Sequence, residues 1–392
     1  MKPIDEMRRR SWAEIDLSAA DANYRAVRNV VSPSVKVCCV IKADGYGHGA
    51  VALAKRYETL GADWFAVSNI EEALELRRAE VRLPILILGY TPAECAEILA
   101  RENLSQCVYS YEYGKALADA AECASVRVRI HIKLDTGMGR IGFRGEEEWE
   151  RAEEICRERA LIPEGIFTHF AVADEGEAGD AYTKEQAERF LRGVRFLEEK
   201  GIRFAVRHCA NSAAIFDYPE LHWDMVRAGI VLYGFAPSES MRALPSLTPV
   251  MTLRTVISHI KTLEKGETVS YGRTYAAERS VRIATVPLGY ADGFSRRLGN
   301  GRYSVKIGDG YAPIVGRVCM DQLMLDVSGL PCEVGDEVTV FGADPKSSAD
   351  EIARINETIN YEVSCDVAKR VPRIYMQDGA PVGVMDVLLP QT

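Results

Sequence analysis

Eight short apolar runs, at 35–42, 64–68, 85–89, 106–110, 126–135, 162–170, 204–212 and 225–234, alternate with stretches of helical pattern between residues 12 and 234. Most are rich in β-branched residues and continuous in hydrophobicity, which suits strands covered on both faces. Between them, 70–79, 93–102, 146–160 and 184–200 carry apolar residues at helical spacing, and Gly201 stands where the last of these needs a C-terminal cap. Eight such alternations predict a closed (β/α)8 barrel of the TIM type. A doubly wound open sheet uses fewer strands and announces a glycine-rich first turn, and no GxGxxG follows the first run.

After Pro237 the rhythm changes to short runs at 253–261, 282–287, 303–307, 311–318, 323–327 and 337–341, separated by Gly, Asp and Pro turns, with one helical stretch at 349–355. A chain of 392 residues also exceeds what one core usually supports. The expected fold class is therefore α/β plus β: an N-terminal (β/α)8 TIM-like barrel over 12–238, and a mainly β C-terminal domain built from 239–392 with residues 1–11. The segment 239–249 reads as the linker.

The formal charge of -9 argues against general affinity for nucleic acid or anionic membrane, because phosphate contacts need surplus Lys and Arg. The first ten residues are polar and hold no apolar stretch suited to a signal or a membrane span, so a cytoplasmic location is expected. Ten cysteines are scattered singly, apart from Cys38–Cys39, with no CxxC pair, so neither a zinc site nor a redox pair is expected.

Barrel chemistry belongs at the C-terminal ends of the strands. Lys42 ends the first run and enters a glycine-rich turn, where loss of solvent would lower its pKa and free the amine as a nucleophile; the alternative is a rim lysine extending its amine to water. Asp135 to Arg140, His169, Asn211, Ser212, Arg227 and Gly229 lie at the other strand ends. Taken singly, His169 also reads as a core histidine and Asn211 as a turn residue.

The run VIKADGYGHG at 40–49 resembles the cofactor-lysine motif of the bacterial alanine racemases, fold-type III pyridoxal-phosphate enzymes. The resemblance continues in order through KLDTGMGRIGF at 133–143, THF at 168–170, NSAA at 211–214, RAGIVLYG at 227–234, SYGRTY at 270–275, GYADG at 289–293, GRVCMDQ at 316–322 and YEV at 361–363. It covers nearly the whole chain, and a series of this length in order is specific.

The resemblance implies an isomerase in which Lys42 holds pyridoxal 5'-phosphate covalently and Tyr271 faces it from the opposite side. Moving a hydrogen between the two faces of a carbon requires two bases, each acting as acid in the reverse direction. Lys42 would take the proton of D-alanine and Tyr271 that of L-alanine. A tyrosine is a weak base at neutral pH, so a nearby positive charge is needed, and His169 and Arg227 are the candidates by family position.

By the same resemblance Arg227 faces the cofactor's ring nitrogen, and Tyr46, Asn211, Ser212, Gly229, Ile230 and Tyr361 belong to the cofactor and phosphate site. Arg140 approaches the cofactor's phenolic oxygen and also binds substrate, and Lys133 matches a lysine that is often carbamylated. Met320 and Asp321 match substrate contacts, and Asp174, Tyr290, Arg296 and Arg317 match the wall of the access channel. Ordinary turn and surface salt-bridge roles are the alternative for these. Because Tyr271 and Met320 lie outside the expected barrel, a homodimer with shared sites is implied, with alanine as the small-molecule partner and D-alanine for peptidoglycan as the product's use.

Val172 and Asn360 depart from the family pattern, where a smaller or more polar residue and a proline are expected, which bears on substrate preference between alanine and serine. A pyridoxal-dependent decarboxylase of the same fold, with Cys319 as its acid, is the alternative enzyme. A single-domain cofactor carrier is the alternative binding protein, opposed by the length of chain after 266.

Overall fold

The computed structural model describes residues 10–389; most of the polar N-terminal stretch, residues 1–9 with it, and 390–392 lie outside the described residues. The chain divides into two units, one containing 21–45 and 50–247, the other containing the described residues up to Ala20, 46–49 and 248 onward.

Strand β1 (Ser11–Asp16) is followed by β2 (Lys36–Val40), β3 (Trp64–Val67), β4 (Ile85–Ile87), β5 (Leu104–Val108), β6 (Val128–Lys133), β7 (Leu161–Phe167), β8 (Val206–His208) and β9 (Met225–Ala228). Strands β2 to β9 form an eight-stranded sheet in the order β8-β7-β6-β5-β4-β3-β2-β9, parallel at every pairing. Its open seam is drawn together where Asp224 N donates to Arg207 O at 3.2 Å and Arg227 N to Ala210 O at 2.9 Å. Each of the eight apolar runs thus overlaps one barrel strand, although the runs at 204–212 and 225–234 extend past the short strands Val206–His208 and Met225–Ala228. Residues of β3, β4 and β5 are buried without alternation, as expected when helices cover the outside and side chains fill the inside.

The helices Ile70–Arg78, Gly145–Cys156 and Asp180–Glu199 match the predicted stretches closely, and Gly201 has the left-handed φ of +85° that a cap uses. The stretch at 93–102 is broken: a 3-10 turn at Ala93–Cys95 precedes the α-helix Ala96–Arg101.

The second unit adds β10 (Met251–Val256), β11 (His259–Leu263), β12 (Thr268–Val269), β13 (Tyr275–Ala276), β14 (Val281–Val286), β15 (Ser304–Ile307), β16 (Gly310–Val315), β17 (Leu323–Asp326), β18 (Glu337–Phe341), β19 (Arg373–Gln377) and β20 (Ala380–Met385). All but β12 and β13 join β1 in one ten-stranded sheet, ordered β11-β14-β17-β16-β15-β18-β10-β1-β19-β20. Here burial alternates, as in β10, β15 and β17, the mark of a sheet with one covered face. The predicted helix at 349–355 is present as Ala349–Asn356.

Two sequence boundaries change. The expected barrel start at residue 12 falls inside β1, which belongs to the second unit: it pairs antiparallel with β10 and parallel with β19, placing Ala13 opposite Leu253 and Arg373. The run at 253–261 is two strands, because residues up to Val256 pair with β18 while His259 onward pairs with β14.

Candidate active site

At the end of β2 the backbone does something few L-residues do. Ala43, Asp44 and Gly45 follow Lys42 with φ of 52°, 54° and 59°, a turn of left-handed helix. The Asp44 carboxylate accepts from Ala50 N at 2.9 Å and Gly45 N donates to Ile41 O at 3.0 Å, which hold the turn closed. Lys42 is half-buried at its start, the strand-end position expected of it.

Arg227, on β9, is buried. Nη1 donates to His208 Nδ1 at 2.8 Å, and Nη2 to Thr168 O at 2.9 Å, Cys209 O at 3.0 Å and His169 Nδ1 at 3.3 Å. A guanidinium only donates, so His169 Nδ1 must accept, and the ring proton stands on Nε2. Burial, then Arg227, Lys133, Arg140 and Lys42, push His169 well below its usual pKa. His169 is therefore neutral at neutral pH, whereas the Arg227 guanidinium remains charged. Lys133, buried at the end of β6, is pushed down to about 7 by burial first and by Arg227 among its neighbours. Arg140 stands exposed in the loop beyond β6, and Asp174 is half-buried after β7.

Ser212 opens the short helix Ser212–Asp217, capped by Asn211, whose side chain accepts from Ala214 N at 3.1 Å. Asn211 thus serves as a helix cap, the turn role weighed for it. Gly229 N donates to Ser212 Oγ at 2.9 Å, both residues are buried, and Ile230 begins the next turn.

In the second unit Tyr271 stands at the tip of the small β12–β13 hairpin and is 66% exposed. Val269, with Tyr275 packed against it, seats the hairpin on the apolar cluster of Leu263, Val281, Ile283 and Val315. Ser270 Oγ donates to Arg317 O at 2.6 Å, and the Arg317 guanidinium lies against Gly272, where an added Cβ would meet it at 3.1 Å. Tyr290 N donates to Cys319 O at 3.1 Å and Ala291 N to Met320 O at 3.0 Å. Gly289 permits that approach, since a Cβ there would lie 2.3 Å from Met320 O.

Ser270, Tyr271, Cys319, Met320, Asp321 and Gln322 line an open groove of about 400 Å3. Tyr271, Tyr290, Met320, Asp321 and Arg317 are thus gathered in one unit, whereas Arg296 stands exposed in the turn Arg296–Leu298 and makes no described hydrogen bond to that group. Tyr46 and Tyr361 pair with ring centroids 6.0 Å apart.

Two family models match in succession, the alanine racemase N-terminal domain over residues 15–237 and the C-terminal domain over 250–375. The chain belongs to the alanine racemase family. It is an isomerase family. An alanine racemase of Desulfovibrio desulfuricans is 47% identical over 367 residues, covering 93% of this chain and 98% of that protein. The structure of the alanine racemase of Clostridium difficile 630 superposes with a TM-score of 0.92 at 42% identity, over 97% of this chain and 99% of that one. That of Bacillus anthracis, solved with bound L-Ala-P, gives 0.91 at 37% identity, over 97% and 98%.

The sequence reading did not single out His208, His131 or Glu164, which extend from Arg227 into the barrel interior. A signal existed: β6 reads Arg129, His131, Lys133 at alternate positions, a polar face on a strand whose other residues are apolar.

Proposed function

We propose that the chain interconverts L- and D-alanine with pyridoxal 5'-phosphate, as a homodimer in which Lys42 of one copy and Tyr271 of the partner subunit act on opposite faces of the substrate. The observation that carries this reading is the buried Arg227 guanidinium held 3.3 Å from His169 Nδ1, with Lys42, Lys133 and Arg140 at the same strand ends, in a chain matched by both domain models.

The residues present suit that cofactor. An electropositive mouth favours a group bearing phosphate and phenolate charges; Ser212 Oγ, which accepts from Gly229 N and keeps its own proton to donate, and Ile230 N would be neutral donors to it, and the family resemblance adds Gly229, Tyr46, Asn211 and Tyr361. Lys42 would hold it covalently, and Arg227 would face its ring nitrogen as a donor that cannot accept a proton. When bound, the cofactor makes the α-hydrogen of an amino acid acidic enough for a side chain to remove.

Lys42 Nζ takes that hydrogen from D-alanine, and Tyr271 Oη of the partner subunit takes it from L-alanine; each returns it in the other direction. Neutral His169, with its proton on Nε2, links the Arg227 charge to the phenolic oxygen. Arg140 and the Met320 amide receive the substrate carboxylate, with Asp321 shaping the site and Asp174, Tyr290, Arg296 and Arg317 the approach to it. A carbamate on Lys133 would place an anion beside Arg140. The exposed Tyr271, Tyr290 and Met320, at 66%, 42% and 53%, support a second copy over this face.

D-alanine for peptidoglycan, made in the cytoplasm, is the role assigned; among the described residues no helix is long and apolar enough to cross a membrane. A chiral assay of the purified protein with cofactor against a panel of L-amino acids tests the reading. Loss of optical activity with alanine is expected. Turnover of serine at a comparable rate would widen the substrate range, and carbon dioxide release in place of racemisation would overturn the reading.

A further inference from the structure

TIM-type barrels are usually filled by branched apolar side chains in layers. This one holds a polar column. From Arg227 Nη1 the path runs 2.8 Å to His208 Nδ1, then from His208 Nε2 3.0 Å to His131 Nδ1, then from His131 Nε2 3.5 Å to Glu164 Oε2. Glu164 accepts from Ser105 Oγ at 2.6 Å and from Arg129 Nη1 at 3.1 Å, while His131 Nε2 faces it at 3.5 Å in electrostatic contact rather than in a hydrogen bond. Both histidines are fully buried.

The space for them is built. A Cβ at Gly165 would lie 2.4 Å from the His131 ring, so this position must lack a side chain. His208 stacks on Phe167 with centroids 4.8 Å apart at 3°, and Trp64 packs against His131 at 5.3 Å.

The hydrogen bonds have one possible sense. Arg227 donates, so His208 Nδ1 accepts and its proton sits on Nε2. That proton is given to His131 Nδ1, which leaves the His131 proton on Nε2, facing the carboxylate. Burial, then in His208 the Arg227 charge, lowers both ring pKa values, so the rings are neutral. Burial alone would raise the Glu164 carboxyl, but His131, Ser105 and Arg129 outweigh it and keep it ionised. The contact is thus a neutral N–H facing a carboxylate. Arg227's four hydrogen-bond partners are neutral, and among the described residues none is a carboxylate. A buried charge in that state depends on polarised neighbours.

We infer that Glu164 is the remote counter-charge of Arg227, and that His131 and His208 are positioning residues that transmit it and fix the aim of the guanidinium. The functional part rests on the reading of Arg227 given above; the column itself does not.

The test uses full-length protein with 15N-labelled histidine, of which the chain has six, together with Glu164→Gln, which keeps shape and removes charge. In the wild type both rings should be neutral with Nδ1 unprotonated from pH 6 to 8. Glu164→Gln should move the ring resonances of His131 and, through it, of His208, while kcat falls about tenfold and the KM for alanine stays within twofold. An Nδ1–H tautomer in either wild-type ring overturns the column, and decides the matter even if Glu164→Gln fails to fold. An unmoved His208 resonance or an unchanged kcat in a folded Glu164→Gln overturns the coupling to Arg227. Correct tautomers in a wild-type protein without racemase activity would instead sink the functional reading and leave the column standing.

Discussion

Lys133 Nζ and the Arg227 guanidinium lie against the same Phe167 ring, 5.2 and 5.4 Å from its centroid. Two buried cations on one ring face mutual repulsion and lost hydration, and the lysine yields because its proton can leave.

This gives a stability prediction with a definite sign. With Lys133 near 7 in the folded chain and 10.5 as its ordinary value, the unfolded state binds more protons between those limits, so stability rises with pH across them. Lys133→Met should stabilise most at or below pH 7, on the order of 3 kcal/mol, and progressively less toward pH 10. Denaturant titrations at pH 6.5 and 9.5 in carbonate-free buffer check it. An equal gain at both would mean the amine is not held neutral.

The two proposed bases should fail in different ways. Lys42→Ala should lose both the absorbance of the attached cofactor and racemisation. Tyr271→Phe should retain the absorbance and lose roughly 10³-fold in kcat, within the range for removal of a general base. An active Tyr271→Phe enzyme would refute the two-base assignment.

If each site draws Lys42 from one copy and Tyr271 from the other, two inactive variants should rescue each other. Mixing Lys42→Ala with Tyr271→Phe and allowing subunits to exchange creates hybrids with one intact site, and random pairing predicts about a quarter of wild-type activity. No recovery in a mixture whose hybrids are demonstrated by native mass spectrometry would place both bases within one chain.

Asp292 explains the acidic residue of GYADG. It is fully buried, accepts from Arg370 Nε at 2.8 Å and Gly289 N at 2.9 Å, and pairs with Arg10, while Arg370 Nη2 reaches on to Asp321 at 2.7 Å. Burial would raise its pKa, but Arg10, Arg370 and the Gly289 amide together hold it below the usual carboxylate range. Its stabilisation is therefore present above the unfolded carboxyl pKa and is lost as pH falls through the lower folded value. Asp292→Asn should cost about 3 kcal/mol in denaturant midpoints at pH 7, and the deficit should shrink in strong acid. A neutral effect would mean the arginines find solvent at no cost.

Much of this molecule is local in origin. The apolar continuity of Trp64–Val67 and Ile85–Ile87 marks interior strands wherever they are placed, and the order of motifs from Lys42 to Tyr361 marks the family. Side-chain period and chemical type belong to the chain itself, so the barrel, the β-rich second unit and the set of reactive side chains were readable without coordinates. Pairing is another matter. β1 alternates in a way that suits many sheets, and its partners Thr255 and Arg373 lie hundreds of residues away. The break between Val256 and His259 exists because β18 takes one side and β14 the other. His131 looks like an ordinary strand histidine until Gly165 opens space beside it and His208 offers a nitrogen. Which charges share a low-dielectric interior depends on contacts between distant segments, and those form only when the chain has folded.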